Sequence, residues 1–157
     1  MDSKIFLKKL RPDHPMDIDV TESTDWVGDL LDELNDGLVD EEGTLSTPSF
    51  HFTGEMIKVQ EGRFDEMATL TGELKTQFYA QCIKSGDTLL DELVVKVSCI
   101  FFSEDDQKIL GDEEMTYYYK ESEYDIFDYQ RNNIDLKEAL HEYIYLNKNP
   151  YPKLPKA

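Results

Sequence analysis

Two runs of alternating apolar residues, separated by the polar segment Lys84–Asp87, constrain the fold more than any other feature of this chain. The apolar face of the first run contains Leu70, Leu74, Phe78, Ala80 and Cys82, and that of the second contains Leu89, Leu93, Val95, Val97, Cys99 and Phe101. Because strand side chains point alternately to opposite faces, each run predicts a strand with one buried face. A turn centred near Ser85 and Gly86 joins the two strands as an antiparallel hairpin. Phe78 then lies opposite Leu93, and a slip of one residue would separate the apolar faces.

The same register predicts how the two cysteines are used. Cys82 lies next to the turn, whereas Cys99 lies opposite Gly72, about 30 Å away at ~3.3 Å per residue. A disulfide requires Cα atoms within about 7 Å of each other. Cys82 and Cys99 are therefore predicted to be small core residues, and so few cysteines are typical of a protein in the reducing cytoplasm.

Two helices are expected, one near each end of the chain. The first covers Asp25–Asn35, begins after Ser23 or Thr24 as the cap, and ends before Gly37. Its apolar stripe consists of Val27, Leu30, Leu31 and Leu34. The second begins at Asp135, which has capping-box spacing to Glu138. Its buried stripe consists of Leu136, Leu140, Tyr143 and Ile144.

Further strands are expected around the hairpin. They lie within Lys4–Leu10, Phe50–Val59, Tyr117–Lys120 and Tyr124–Tyr129. The predicted fold class is therefore α+β, an antiparallel β-sheet that could close into a barrel, with a short N-terminal helix and a C-terminal helix. The polar segment Ser103–Glu114 is expected to be a loop, and the proline-containing end from Pro150 to be extended.

Charge is distributed very unevenly along the chain. The 157 residues include 34 acidic and 16 basic side chains, which gives a net charge of −18. The stretch from Pro12 to Ile57 has no Lys or Arg and holds 13 of the 34 acids. The length is typical of one domain. We expect a single domain, 1–157, in which an acidic region with a short helix, 1–48, precedes a β-rich region, 49–157.

The acidic region predicts a docking surface for a basic protein, because its charge repels the phosphates of nucleic acids. The alternative is a solvated surface that only aids solubility. The candidate partner-binding residues are Trp26, Asp29, Asp32, Glu33, Asp36, Asp40, Glu41 and Glu42. Trp26 is either an apolar anchor at this surface or a core residue.

The sequence contains no recognisable motif for catalysis or cofactor binding. Asp32–Gly43 is not a calcium loop, since Leu34 occupies a position that needs a carboxylate. Glycine-rich phosphate loops and a nucleophile elbow are also missing. The histidines are too scattered to predict a metal site, and they are His14, His51 and His141. We therefore expect a non-enzymatic protein with no metal, cofactor or small-molecule substrate.

Nucleic acid and membrane are also disfavoured as partners. The aromatic segment Tyr117–Tyr129 could form a stacking platform for single-stranded nucleic acid, but its acidic neighbours favour packing within strands. No apolar run reaches the roughly 18–20 residues of a membrane helix. The N-terminus lacks the continuous apolar segment of a signal peptide. A cytoplasmic location is therefore expected.

The order of several short motifs from Gly54 to Pro155 resembles the bacterial YceD family. In chain order the matching features are Gly54-Glu55, Thr71-Gly72-Glu73-Leu74, Cys82, Phe101-Phe102, Asn133-Ile134-Asp135-Leu136, then Glu142, Ile144 and Leu146, and a proline tail. Members of that family carry C-x-x-C where this chain has Cys82-Ile83-Lys84-Ser85, and often a further cysteine after the terminal prolines. This chain ends Pro155-Lys156-Ala157, so the resemblance transfers no metal ligand to it.

The resemblance implies a non-enzymatic role in accumulation of large-subunit ribosomal RNA and in assembly of that subunit. Together with the charge, it predicts a cytoplasmic accessory factor whose acidic region binds a basic ribosomal protein or assembly factor. Direct contact with RNA is disfavoured by the same charge. Two alternatives are a general acidic interaction adaptor that is unrelated to ribosomes and an enzyme, which would need a concave pocket with convergent polar groups.

Overall fold

The fold is α+β. In the computed structural model, residues 1–62, 64–111 and 115–152 are described, except for the side chain of Asp65. The strands are β1 (Lys4–Phe6), β2 (Met16–Thr21), β3 (Ser49–Glu61), β4 (Phe64–Gln81), β5 (Thr88–Ser103), β6 (Thr116–Tyr119), β7 (Ser122–Tyr129) and β8 (Asn133–Asp135). The α-helices are α1 (Asp25–Asn35), α2 (Glu104–Leu110) and α3 (Leu136–Asn147), and a 3-10 turn covers Leu7–Lys9.

Six of the strands form one open sheet in the order β2-β3-β4-β5-β7-β6. Its neighbours are antiparallel except for β5 and β7, which are parallel. The parallel pair arises because α2 and β6 intervene between β5 and β7, so that the chain returns to β5 in the same direction. The sheet is therefore mixed, and with β2 and β6 at its two edges it is not closed into a barrel. β1 and β8 pair separately as a two-stranded antiparallel sheet.

The predicted hairpin is formed by β4 and β5, but its register differs from the prediction by two residues. Phe78 lies opposite Asp91 instead of Leu93. The reason is the connection, which spans residues 82–87 and is centred one residue earlier than expected. Within it, the Cys82 N–H donates to the Asp87 carbonyl at 2.8 Å and the Gly86 N–H donates to the Cys82 carbonyl at 2.9 Å. A shift of two residues preserves the alternation, so the same side chains share the buried face.

The cysteine prediction is confirmed. Cys99 lies opposite Leu70, far along the hairpin from Cys82. Both cysteines are buried, and no disulfide joins them.

Helices α1 and α3 cover one face of the sheet, which we call the inner face. The bounds of α1 match the prediction, and its buried residues are Trp26, Val27, Leu30, Leu31 and Leu34. The stripe predicted for α3 is buried as well. The Asp135 side chain accepts a hydrogen bond from the Glu138 N–H at 3.1 Å and so caps α3. The main hydrophobic core lies between these helices and the inner face.

The opposite face, which we call the outer face, carries a smaller cluster at one end. The Phe102 ring lies 5.4 Å from Phe64 and 5.2 Å from Tyr117 between centroids. Tyr119 and Tyr124 also pack against this cluster. The tyrosines of β6 and β7 therefore pack within the fold, as their acidic surroundings predicted, although Tyr118 is exposed.

One local prediction was wrong, and the strands β2 and β8 were not predicted. A loop was expected over Ser103–Glu114, but Glu104–Leu110 forms helix α2. Residues 112–114 of the expected loop lie outside the described residues. So does the part of the proline-containing end from Lys153 onward. Ser103 caps α2 by accepting from the Asp106 N–H at 3.2 Å, and three acidic residues occupy its first turn. The helix buries no residue, so it has no apolar periodicity to detect. The edge strand β2 was not predicted, although Ile18 and Val20 alternate with aspartates.

Candidate functional site

The exposed side of α1 carries four predicted partner-binding acids. Its buried stripe fixes the helix on the core, and this orientation turns Asp29, Asp32, Glu33 and Asp36 to the solvent. We call these four residues the α1 acidic face. Asp36 ends the helix in a left-handed conformation with φ of 49°. The Asn35 side chain accepts a hydrogen bond from the Tyr79 N–H at 2.8 Å and ties this end to β4.

One residue of the α1 acidic face is engaged by α3. The Glu33 carboxylate lies 3.4 Å from Lys137 Nζ and 3.7 Å from His141 Nε2. Among the described residues, Asp29, Asp32 and Asp36 make no ion pair. Exposed ion pairs contribute little to stability, so the main effect of these contacts is to offset the negative charge of Glu33. Three of the four carboxylates remain available to an external cation.

The loop after α1 carries the remaining predicted acids. The Asp40 side chain is half-buried and accepts a hydrogen bond from the Leu45 N–H at 3.0 Å, so it shapes the loop. Glu41 and Glu42 are exposed. A shallow cavity of about 410 Å³ separates the loop from the turn of the β4–β5 hairpin, where Asp87 lines it. The loop therefore extends the negative charge beyond the end of α1.

Trp26 is a core residue rather than an exposed anchor, although it lines a surface cavity together with Asp29. It is 9% exposed and belongs to the main core. Its indole Nε1–H donates to the Met1 carbonyl at 3.0 Å. The structure therefore corrects the anchor interpretation, because both the ring and its polar atom are already occupied within the fold.

The acidic stretch between Pro12 and Ile57 divides between two faces of the protein. Asp17 of β2 lies opposite Glu55 of β3, on the outer face of the sheet. His51 Nε2 lies 2.8 Å from Asp19 Oδ1 on the same face. The α1 acidic face is on the helical side of the sheet. The number of acidic residues between Pro12 and Ile57 does not show that they lie on two different surfaces.

A polar cluster that the sequence did not reveal lies at the junction of α3, β5 and β7. The Tyr143 hydroxyl lies 2.6 Å from Asp125 Oδ2, to which it donates, and accepts from the Ser98 N–H at 3.3 Å. Burial raises the pKa of the Tyr143 hydroxyl, and the nearby Cys99 and Asp125 groups raise it further. Burial, reinforced by the charge of Asp125, also raises the pKa of the Cys99 thiol. Cys99 is thus held as a neutral thiol and is a poor nucleophile.

Within the part of the chain that the structure describes, no group of three or more His, Cys, Asp or Glu side chains is placed to hold a metal ion. His51 pairs with Asp19, and His141 Nε2 lies 3.7 Å from the Glu33 carboxylate. Among the described helices, none combines the length and apolar character needed to cross a membrane.

Comparison with protein-family models, with curated proteins and with solved structures finds no match for this chain.

Proposed function

We propose that this protein is a non-enzymatic accessory factor in accumulation of large-subunit ribosomal RNA and in assembly of that subunit, acting by binding a basic protein partner. The observation that carries the binding part is the α1 acidic face, in which Asp29, Asp32 and Asp36 are exposed on one side of a helix that is anchored in the core. The ribosomal part rests on the resemblance to the YceD family. A cytoplasmic location belongs to the same proposal and is supported by two buried cysteines that form no disulfide.

The α1 acidic face suits a basic protein better than it suits RNA. Carboxylates repel phosphates and attract Lys and Arg side chains, and the attraction raises the association rate at low salt. The helix is fixed at one end by the Asn35–Tyr79 hydrogen bond and along its length by its apolar stripe. A pre-organised face loses little conformational entropy when a partner binds.

A binding experiment with purified basic proteins of the large subunit tests the surface. The variant D29N/D32N/D36N removes three charges from the α1 acidic face. The matched control D13N/D17N/E55Q removes three exposed charges elsewhere. At roughly 0.5–1 kcal/mol per exposed charge pair, the first variant should bind about ten- to a hundredfold more weakly. The control should keep most of its affinity.

Equal weakening by both variants would show that only overall charge matters and would overturn the assignment of the surface. Tight binding of ribosomal RNA fragments, without salt-sensitive binding of any basic ribosomal protein, would overturn the protein-partner proposal. A profile of ribosomal subunits from a deletion strain tests the ribosomal part. Loss of large-subunit RNA is expected, whereas a normal profile favours the general interaction adaptor.

A further inference from the structure

A surface groove between β1 and the N-terminal part of α1 adjoins the α1 acidic face. It encloses a cavity of about 890 Å³, and Asp29 belongs both to its lining and to the α1 acidic face. This volume lies within the range of pockets that enclose a small ligand, so the groove has room for a side chain of a partner protein.

Strand β1 forms one wall of the groove. Ile5 is buried, so strand alternation turns its neighbours Lys4 and Phe6 to the opposite side, and both of them line the cavity. Asn133 of β8 lies directly opposite Phe6 and also lines the cavity, as the same alternation requires. The exposed side of the β1–β8 pair therefore faces the groove.

Helix α1 forms the other wall. Asp29 is four residues from Asp25 and three from Trp26, and these spacings place the three lining residues on one side of the helix. The indole Nε1–H of Trp26 donates to the Met1 carbonyl at 3.0 Å, which holds Met1 beside the helix. Trp26 is buried whereas Asp25 and Asp29 are exposed, so the indole lies at the base of the groove and the carboxylates lie at its rim.

The groove exposes apolar surface to the solvent. Phe6 is 50% exposed and Met1 is 53% exposed, and both line the cavity. Single exposed apolar side chains are common on protein surfaces, but here two of them share one concavity with the edge of the Trp26 ring. Covering this surface with a large apolar side chain of a partner is favourable, because it removes apolar area from water.

The rim of the groove is acidic. Asp2, Asp25 and Asp29 line the cavity and are exposed. Among the described residues that line it, Lys4 is the one basic side chain. The negative charge of the rim is continuous with the rest of the α1 acidic face through Asp29. Lys or Arg side chains next to the apolar side chain of a partner would therefore be attracted to this rim.

We propose that this groove receives a large apolar side chain that is flanked by Lys or Arg in the basic partner, an assignment that rests on the proposed function. The apolar side chain packs between Phe6 and Met1, above the Trp26 ring. Its basic neighbours pair with Asp25 and Asp29. The α1 acidic face attracts the partner at long range, and the groove selects it, because a few well-packed side chains carry most of the affinity of an interface.

Titration of the full chain with two lysine-rich heptapeptides tests the proposal. The peptides are identical except that the central residue is phenylalanine in one and alanine in the other. The phenylalanine peptide should bind roughly five- to thirtyfold more tightly. Trp26 is the only tryptophan of the chain, so its fluorescence should respond more strongly to the phenylalanine peptide at saturation.

Phe6→Thr removes the ring from the groove and keeps a residue that favours strands in β1. In this variant the preference for the phenylalanine peptide should fall to about twofold or less. The salt dependence of binding should stay the same, because no charge is lost. Tyr118→Thr is the matched control, since Tyr118 is an exposed aromatic residue of β6 that does not line the groove. It should keep the full preference.

Circular dichroism of Phe6→Thr shows whether that variant is folded, and the preference of the wild type tests the groove without it. Equal affinity of the wild type for the two peptides would overturn the groove, and D29N/D32N/D36N would still test the α1 acidic face. A full preference that persists in folded Phe6→Thr would place the apolar contact elsewhere and would also overturn it. If neither peptide binds at millimolar concentration, the groove proposal fails, and binding of the basic ribosomal proteins then decides the proposed function separately.

Discussion

Gly54 of β3 and Gly72 of β4 lie directly opposite each other, with the Phe52 ring over both of them. A Cβ atom added at either glycine would lie 2.9 Å from Phe52 Cζ and would overlap a backbone carbonyl oxygen of the neighbouring strand. Phe52 itself is fully buried in the main core. The two glycines therefore allow a close approach of the strands that no other residue permits.

Alanine at either position is expected to destabilise the protein. In Gly54→Ala the new methyl group meets the Thr71 carbonyl oxygen, so the backbone of two central strands must move. Overpacking of this kind costs about 1–3 kcal/mol in the free energy of unfolding, which urea titration measures. Gly28→Ala is the matched control, because nothing lies within 4 Å of the added Cβ. There the helix should gain roughly 0.5–1 kcal/mol. Equal stability changes at positions 28 and 54 would contradict this account.

The parts of the fold that were predictable depend on local patterns. The apolar periods of α1 and of the β4–β5 hairpin repeat over enough residues to specify type and face. The parallel pairing of Ile100 with Ile126 was not predictable, since it joins strands separated by a helix and another strand. Helix α2 was missed because none of its residues is fully buried, so it has no apolar stripe. The register of the hairpin depended on the length of a turn, which apolar periodicity does not specify.

The same contrast between local patterns and contacts from distant strands applies to the surfaces of the protein. The α1 acidic face follows from the helical period, because fixing Leu30 and Leu34 inside turns Asp32 outside. Trp26 lies at the border of the stripe, where sequence allows either role. A cavity of about 380 Å³ on the outer face is lined by both Thr69 and Tyr119, which comes from a distant strand. Only the curl of the sheet brings them together, and no local pattern indicates that curl.

The β6–β7 turn stores strain that one substitution should release. Lys120 and Glu121 both have positive φ, at 47° and 66°, in a two-residue hairpin loop closed by Tyr119 and Ser122. Hairpin loops of this kind favour Asn-Gly, since a left-handed conformation costs about 1–2 kcal/mol for most residues. Glu121→Gly should therefore raise the free energy of unfolding by about 1 kcal/mol, as measured by urea titration.

A control two residues away distinguishes relief of strain from loss of charge. Glu123→Gly also removes an exposed carboxylate, but from a position within strand β7, where the backbone is extended. Glycine inside a strand lowers stability by roughly 0.5–1 kcal/mol. The two variants should therefore change stability in opposite directions. A similar gain in both would mean that removing a negative charge from this acidic protein explains the effect of Glu121→Gly.

The contact between Tyr117 and Glu61 should make stability depend on pH in the alkaline range. Burial, together with the hydrogen bond to Glu61 and the charge of that carboxylate, raises the pKa of Tyr117 to about 12. The pKa in the unfolded chain is about 10. The stabilisation is therefore fully present below pH 10 and is lost as the pH rises from about 10 to about 12, because only the unfolded chain releases the proton in that window.

Urea unfolding of the wild type and of Tyr117→Phe across this window should show that the difference between their free energies of unfolding shrinks as the pH rises. Tyr118→Phe, at an exposed position on the same strand, is the matched control. A difference that stays constant for Tyr117→Phe, or that shrinks equally for both variants, would show that the contact with Glu61 is not linked to folding.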